Sequence, residues 1–230
     1  VAFAELDDNI NLSKALLKYT CKYVLDNYIE DITFLSNRKE LEEQTLKKEL
    51  RSSKNLLSLI QDIIDNPFGV ISYTDAFEIL KNSKRNKKNK FQFPIKDWGI
   101  DFQSEHERFL VEQEFNSPVI IIDYPKDIKA FYMRLNDDNK TVRAMDVLFP
   151  GIGEIIGGSQ REERLSYLTK RMHEMSISEQ ELWWYLETRK FGTVPHSGFG
   201  LGFERLVQFV TGMSNIRDVI PFPRFPSHIE

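Results

Sequence analysis

The chain has 230 residues, of which 41% are hydrophobic and 12% aromatic, so it is long enough to bury one sizeable core. Its formal net charge of -4 argues against nucleic-acid binding through overall charge, although a local basic path remains compatible with it. The single cysteine, Cys21, excludes an internal disulfide, and the sequence offers neither a cysteine and histidine set for zinc nor the run of roughly 18 apolar residues that a membrane helix needs.

The first predicted element is a helix between Asn11 and Tyr28, with Asn9 or Asn11 as its cap. Its apolar residues recur at helical spacing, which predicts a core-facing stripe. The stripe consists of Leu12, Ala15, Leu16, Tyr19 and Tyr23.

A second helical stretch is predicted over 39–65, where a charged beginning gives way to apolar spacing that ends before Pro67. Thr74 is predicted to cap a short helix through Leu80. The Lys- and Asn-rich segment 81–90 follows; its composition favours a solvated or disordered insertion, with a basic patch that contacts nucleic acid as the alternative.

Within 98–115, the Ser104-Glu105-His106-Glu107 sequence is a capping box, which predicts a helix starting at Ser104. His106 and Glu107 are residue types that can be catalytic. Their position in the first turn of a helix favours the capping interpretation instead.

Strands dominate the next part of the chain, which predicts an antiparallel sheet containing a hairpin with its turn at 136–139. The predicted strands are 118–123, 129–134, 141–149 and 153–159. Helices are then predicted over 161–175 and, from a second capping box at Ser178, through Arg189. This order predicts an α+β fold, an antiparallel sheet flanked by helices.

Near the end of the chain, Gly198, Gly200 and Gly202 alternate with Phe199, Leu201 and Phe203. Since a strand sends successive side chains to opposite faces, one face is bare backbone and the other is apolar. Such a floor suits a flat, rigid group, and an apolar helix ended by Gly212 follows it, with Arg205 in the first turn. A tight strand crossing without a ligand explains the glycines equally well, and the G-x-G-x-x-G spacing of a dinucleotide site is absent.

Several motifs resemble class II aminoacyl-tRNA synthetases. The sequence GFGLGFERL, from Gly198 to Leu206, is similar to their motif 3. Four further stretches narrow the resemblance to the bacterial and organellar asparaginyl type. They are MDVLFPGIGEIIGGSQREERL, WWYLETRKFGTVPHSGFG, YPKDIKAFYMRLN and NIRDVIPFPR. The likeness covers most of the chain apart from charged stretches before residue 91.

The resemblance implies that residues 1–230 are the C-terminal part of a synthetase catalytic domain, with an insertion near 81–90. An anticodon-binding OB domain, motif 1 at a dimer interface and motif 2 with its ATP-binding arginine would precede Val1. The implied activity is ATP-dependent activation of asparagine and its transfer to tRNA(Asn), with a homodimer as the full-length enzyme. The fragment alone is expected to be inactive.

For ATP, the resemblance implies that adenine lies on Gly198, Gly200 and Gly202 and that Arg205 contacts the phosphates. Mg²⁺ takes hard oxygen ligands, and the implied ligands are Glu154 and Asp146. The two carboxylates lie one residue further apart here than in the related aspartyl enzymes, which puts Asp146 in doubt. Without the family, each is an ordinary charge at the edge of a sheet.

For the amino acid, the resemblance implies that Arg161 binds the side-chain oxygen of asparagine, with Gln160 on the substrate backbone and Tyr132 in the pocket wall. Arg161, Glu154 and Arg205 are the implied catalytic residues. Without the family, Arg161 is a surface ion pair with Glu162 or Glu163, and Tyr132 is a core residue.

Three further residues carry weaker implications. His196 could face the pocket but beside Pro195 is more typical of a structural role. Arg224 is a candidate phosphate contact, and Glu105 belongs to a SEHER segment that lies near the active-site rim in the family.

Two other functions remain open: an aspartate-tRNA ligase, and a non-catalytic binding module that has kept the synthetase fold. The motifs GGSQREER and WWYLETRKFGTVPH favour the asparaginyl type. The expected location is the cytoplasm, or a plastid or mitochondrion if the source is eukaryotic.

Overall fold

A computed structural model describes residues 1–45 and 54–226, so part of the helical stretch predicted over 39–65 lies outside the described residues. The fold is built on a five-stranded sheet. Its strands, in spatial order, are β1 (Gly69–Ser72), β2 (Val119–Pro125), β3 (Thr141–Phe149), β4 (Gly153–Gln160) and β5 (Ser197–Leu201). β2 to β5 pair antiparallel, which confirms the predicted α+β fold, whereas the unpredicted β1 pairs parallel with β2.

Helices flank both faces of the sheet. They are α1 (Leu6–Gln44), α2 (Leu56–Asp65), α3 (Tyr73–Asn82), α4 (Lys84–Lys87), α5 (Ser104–Phe109), α6 (Leu165–Glu174), α7 (Trp183–Lys190) and α8 (Phe203–Thr211). A π-helical turn (Leu110–Phe115) continues α5, and two 3₁₀ turns lie at Lys126–Ile128 and Ile216–Val219.

Within the described residues, one hydrophobic cluster packs on each face of the sheet, and a smaller third cluster joins α6 and α7. One cluster joins α1, α2 and α8 to the sheet, through residues such as Leu17, Ile60 and Phe209. The other joins α3 and α5 to β2 and β3 on the opposite face. The glycine stretch of β5 exposes backbone on this second face, and this leaves an open cleft beside the second cluster.

The predicted core stripe of α1 is wrong. Leu12 and Tyr19 are 47% and 68% exposed, whereas Leu17 and Cys21 on another side of the helix are fully buried. The helix carries apolar residues on more than one side, and the sheet covers the side the pattern did not indicate. Its cap is Glu5, and Asn9 is instead buried beneath β5.

The predicted strand 129–134 is also wrong, because a bend at Lys129 and a turn at 131–132 replace it, leaving within it a single bridge between Met133 and Arg161. The predicted turn at 136–139 is confirmed, with Asn139 N–H donating to the Asn136 carbonyl at 3.1 Å. The helix predicted from Arg161 begins at Leu165, since the N–H groups of Arg161 and Glu162 already bond backbone carbonyls of other segments.

Three predicted caps lie elsewhere. Ser72 rather than Thr74 caps α3, because its Oγ accepts from Asp75 N–H at 3.1 Å. Gln103 rather than Ser104 precedes α5, and turns occupy the residues after Ser178, so α7 starts only at Trp183. The end of α8 at Gly212 is confirmed, with φ at +67°.

Of the segment 81–90, the middle residues form α4 rather than the disordered insertion that composition favoured. None of the helices in the described ranges is both long and apolar enough to cross a membrane. Cys21 is buried as a free thiol, and its burial raises its pKa to about 12.

Candidate active site

The glycine floor forms where β4 and β5 pair. Gly157 lies opposite Gly200, and Ser159 lies opposite Gly198. A Cβ added at Gly200 would meet no atom within 4 Å, and one added at Gly198 would meet only Arg161 Nη2, at 3.8 Å. The predicted bare backbone floor is therefore present and open.

Glycine does not serve the same purpose at every position in this pair of strands. A Cβ at Gly158 would lie 2.7 Å from Phe199 Cβ and 2.9 Å from the Gly198 carbonyl oxygen. Gly158 is thus required for strand packing on the opposite face, where Phe199 and Leu201 join the core. Phe203, the third residue of the predicted apolar face, is instead 68% exposed.

Arg161 lies at one end of the floor. Its Nη1 donates to Ser159 Oγ at 3.0 Å, and its guanidinium carbon lies 4.7 Å from the centre of the Tyr132 ring. Among the described residues, no carboxylate oxygen lies within 4.0 Å of this guanidinium, because Glu162 pairs with Arg164 and Glu163 with Arg134. The alternative of a surface ion pair is therefore excluded for the described part of the chain.

Arg205 lies at the other end, in the first turn of α8. Its side chain covers Gly202, where an added Cβ would be 3.3 Å from Arg205 Cδ. Its Nη1 donates to the Glu154 carbonyl oxygen and lies 3.9 Å from Glu154 Oε2. Arg161 is thus next to Gly198 of β5, and Arg205 is next to Gly202, which directly follows that strand.

Two carboxylates flank the floor at Gly157. A Cβ there would lie 2.6 Å from Glu154 Oε1 and 3.6 Å from Asp146 Oδ1. The extra residue between the two carboxylates is absorbed by a bulge at Ile155, since Val147 pairs with Ile156 but Leu148 pairs with Glu154. The bulge keeps Glu154 on the same face as Asp146.

The two carboxylates are in different environments. Asp146 Oδ2 accepts from Lys129 Nζ at 2.6 Å, and this ammonium lies 3.9 Å from the centre of the Tyr124 ring. Burial raises the pKa of Glu154, and the negative charge of Asp146 raises it further. The charge of Asp146 is thus paired closely with the Lys129 ammonium, whereas Glu154 lies 3.9 Å from its partner Arg205.

A third carboxylate, Glu107 of α5, lies beside this pair. Its Oε2 accepts from Glu154 N–H at 3.3 Å, and its burial, reinforced by Glu154 and Asp146, raises its pKa to about 7. The capping interpretation of the sequence missed this contact, and it also missed Lys129. The sequence does not show either contact, because each depends on how the strands and helices pack.

The described residues contain no group of three or more His, Cys, Asp or Glu side chains arranged to hold a metal ion. Glu154 and Asp146 nevertheless provide hard oxygen atoms beside the floor, and Mg²⁺ needs only one or two carboxylates when it keeps its waters. The residues present therefore fit Mg²⁺. Glu154 is the more available ligand, because Asp146 already forms a close ion pair with Lys129.

Gln160 does not belong to the predicted amino-acid site. It follows Ser159 on β4, so its side chain is on the opposite face, where Oε1 accepts from Arg143 Nη1 at 2.8 Å. Arg143 in turn lies 3.3 Å from Glu5, next to α1. The sheet itself thus separates Gln160 from Arg161.

The weaker candidates have structural contacts. His196 Nδ1 is 2.8 Å from the Val194 carbonyl oxygen, and its own carbonyl accepts from Arg161 N–H at 2.8 Å. His106 is fully buried, which agrees with the structural interpretation, and Glu105 accepts from Phe93 N–H at 2.8 Å. Arg224 is exposed, and its role as a phosphate contact stays a prediction.

The site is thus an open glycine floor on an antiparallel sheet, with an arginine at each end and carboxylates along its side. A family model described as "tRNA synthetases class II (D, K and N)" matches residues 1–226. The chain belongs to this family.

Its relatives and structural neighbours agree with that membership. The chain is 55% identical over all 230 residues to an asparagine-tRNA ligase of Cytophaga hutchinsonii and 56% identical over 226 residues to that of Protochlamydia amoebophila. It covers 46% and 44% of those proteins, so it spans less than half their length.

Among solved structures, the chain is similar to asparaginyl-tRNA synthetase from Pyrococcus horikoshii complexed with asparaginyl-adenylate. The TM-score is 0.81 at 34% identity, over all of this chain and 46% of that one. The expected resemblance and fold are thereby confirmed.

Proposed function

We propose that this chain supplies most of the active site of an asparagine-tRNA ligase, which activates asparagine with ATP and transfers it to tRNA(Asn). One observation carries the proposal: Arg161, without a carboxylate partner among the described residues, and Arg205 stand at opposite ends of one open glycine floor. The asparagine-tRNA ligases that share more than half of its residues support the choice of amino acid.

The floor and Arg205 are proposed to hold ATP. A flat adenine can approach the backbone at Gly198 and Gly200 because no side chain intervenes. Arg205, 45% exposed in its side chain, can turn to the phosphates, to which a guanidinium donates two parallel hydrogen bonds. In this arrangement, the α-phosphate is proposed to lie between the two arginines.

Asparagine is proposed to bind at Arg161. The guanidinium is already oriented by Ser159 Oγ and by the Tyr132 ring, so little conformational freedom is lost when it donates to the amide oxygen. The asparagine carboxylate, which is anionic from the start, then attacks the α-phosphorus in line and releases pyrophosphate. No general base is needed, and catalysis rests on alignment and neutralisation of charge.

Mg²⁺ is proposed to bind through Glu154, with Asp146 nearby in its ion pair with Lys129. When bound, the ion would neutralise phosphate charge that Arg205 alone cannot balance. Glu107, bonded to the backbone of Glu154, holds that residue in position.

The remaining expectations are part of the same proposal. The acceptor for the amide NH₂ of asparagine, motif 2, the anticodon-binding domain and the homodimer interface would lie in a segment joined to this chain. The enzyme would act where tRNA is charged, in the cytoplasm or in an organelle.

Amino-acid-dependent exchange between ATP and pyrophosphate, measured on the full-length parent, tests the proposal. We expect exchange with asparagine and none with aspartate. Exchange with aspartate would identify the rival ligase, and exchange with neither would identify a binding module that has kept the fold.

A further inference from the structure

The segment 81–90 contains six basic residues and no acidic residue in a chain whose net charge is -4. The structure holds this segment in place. Asn86 Nδ2 donates to the Ile95 carbonyl at 3.0 Å, and Asn86 Oδ1 accepts from Ile95 N–H at 3.0 Å. Ser83 Oγ caps the short helix by accepting from Asn86 N–H at 3.0 Å.

Arg85 provides a second anchor. Its guanidinium lies 5.1 Å from the centre of the buried Phe91 ring and 3.9 Å from Glu105. The lysines around it, by contrast, are presented to solvent. Lys84, Lys87, Lys88 and Lys90 are exposed, and within the described ranges no carboxylate oxygen lies within 4.0 Å of any of their ammonium groups.

Three of these lysines, Lys84, Lys88 and Lys90, border a surface cavity of about 800 Å³. Its other lining residues include Phe109 and Gln113, which belong to α5 and the turn that continues it. Glu107 of the same helix contacts Glu154 in the active site. α5 and the turn that continues it therefore contact both the cavity beside the lysines and the carboxylates of the active site.

We propose that the exposed Lys84, Lys87, Lys88 and Lys90, with the cavity that three of them border, form a binding surface for the phosphate backbone of RNA. The proposal deepens the proposed function and rests on it, because that function supplies an RNA whose acceptor end must reach the active site. Exposed ammonium groups on a fixed scaffold suit phosphate contacts, which position a nucleic acid without reading its sequence. The contact releases counterions, so its strength depends on salt.

The test compares two double variants of the full-length parent that remove equal charge. Lys87→Gln/Lys88→Gln alters the surface, and Lys140→Gln/Lys170→Gln alters two exposed lysines elsewhere. Binding of a tRNA transcript is measured against salt concentration. We expect the surface variant to bind roughly fivefold more weakly near 0.1 M salt, with the salt slope reduced by about 1 to 2, and the control to match the parent.

Equal affinity and slope in the two variants would overturn the proposal. So would unchanged RNA binding with lost affinity for vesicles of anionic lipid, which would identify a membrane surface. Asparagine-dependent exchange needs no tRNA and is read in parallel. If the parent shows no exchange, the proposed ligase activity fails, whereas the RNA-binding surface is judged by the binding data alone.

Discussion

At the scale of one residue, substitutions at Gly200 and Gly158 test ATP binding and folding separately. Gly200→Val adds a side chain to the open floor, so we expect an unchanged melting temperature and a KM for ATP raised roughly tenfold or more. Gly158→Ala pushes a Cβ into the neighbouring strand and should cost about 1 to 3 kcal/mol of unfolding free energy. Thermal melts and exchange kinetics check both variants, and a Gly200→Val protein that binds ATP normally would contradict the floor.

Arg161 and Arg164, three positions apart, give a second matched pair. Arg161→Gln removes a guanidinium that pairs with no described carboxylate, so folding should be little affected while kcat/KM for asparagine falls about 100-fold. Arg164→Gln leaves the fully buried Glu162 carboxylate without its cation and should cost about 3 kcal/mol of stability. Chemical denaturation and exchange assays measure the two effects. Comparable stability losses in both variants would mean that Arg161 is structural.

The resemblance indicated Arg161, Arg205 and Glu154, and the structure brings all three to the floor. It could not indicate Lys129 or Glu107, whose contacts with Asp146 and Glu154 join segments far apart in the sequence. Gln160 was assigned to the wrong face of the sheet, because the motif gives the order of the residues but not the face of the strand on which each side chain lies.

At the scale of the element, α5 is anchored through His106. Its Nδ1 accepts from Gln103 N–H at 3.0 Å and its Nε2 lies 2.7 Å from the Phe93 carbonyl oxygen, an arrangement that requires a neutral ring. Burial lowers the pKa of His106 below its ordinary 6.5.

A lowered pKa means that the unfolded chain binds the proton more readily. The stability from His106 is therefore complete above about pH 6.5 and is lost as the pH falls through its folded pKa. The free energy of unfolding, measured in urea, should fall between pH 7.5 and 5.5 in the parent. We expect this decrease to be smaller in His106→Asn. A His106→Asn variant that keeps the parent's pH dependence would contradict the assignment.

Element positions were predictable where the pattern had one interpretation. The apolar run of β2 and the glycine alternation of β5 have no competing period, and both strands form as predicted. The stripe of α1 failed because apolar residues occur on several sides of that helix, and only the position of the sheet decides which side is buried. The bulge at Ile155 was likewise set by strand pairing rather than by local preference.

At the scale of the whole molecule, the chain is a sheet with one covered face and one partly open face. We predict that the isolated 230 residues catalyse no asparagine-dependent exchange, because the chain spans less than half the length of the asparagine-tRNA ligases that it matches. Adding the remainder of the parent should restore activity. Turnover by the isolated chain would show that this chain holds a complete site.

One glycine floor is proposed to hold the adenylate between two arginines. A crystal structure of the full-length parent with a non-hydrolysable asparaginyl-adenylate analogue tests it most directly. We predict adenosine against Gly198 to Gly202, Arg205 on the nucleotide and Arg161 within hydrogen-bond distance of the asparagine amide oxygen. An analogue bound away from the floor, or one whose amide does not contact Arg161, would contradict the account.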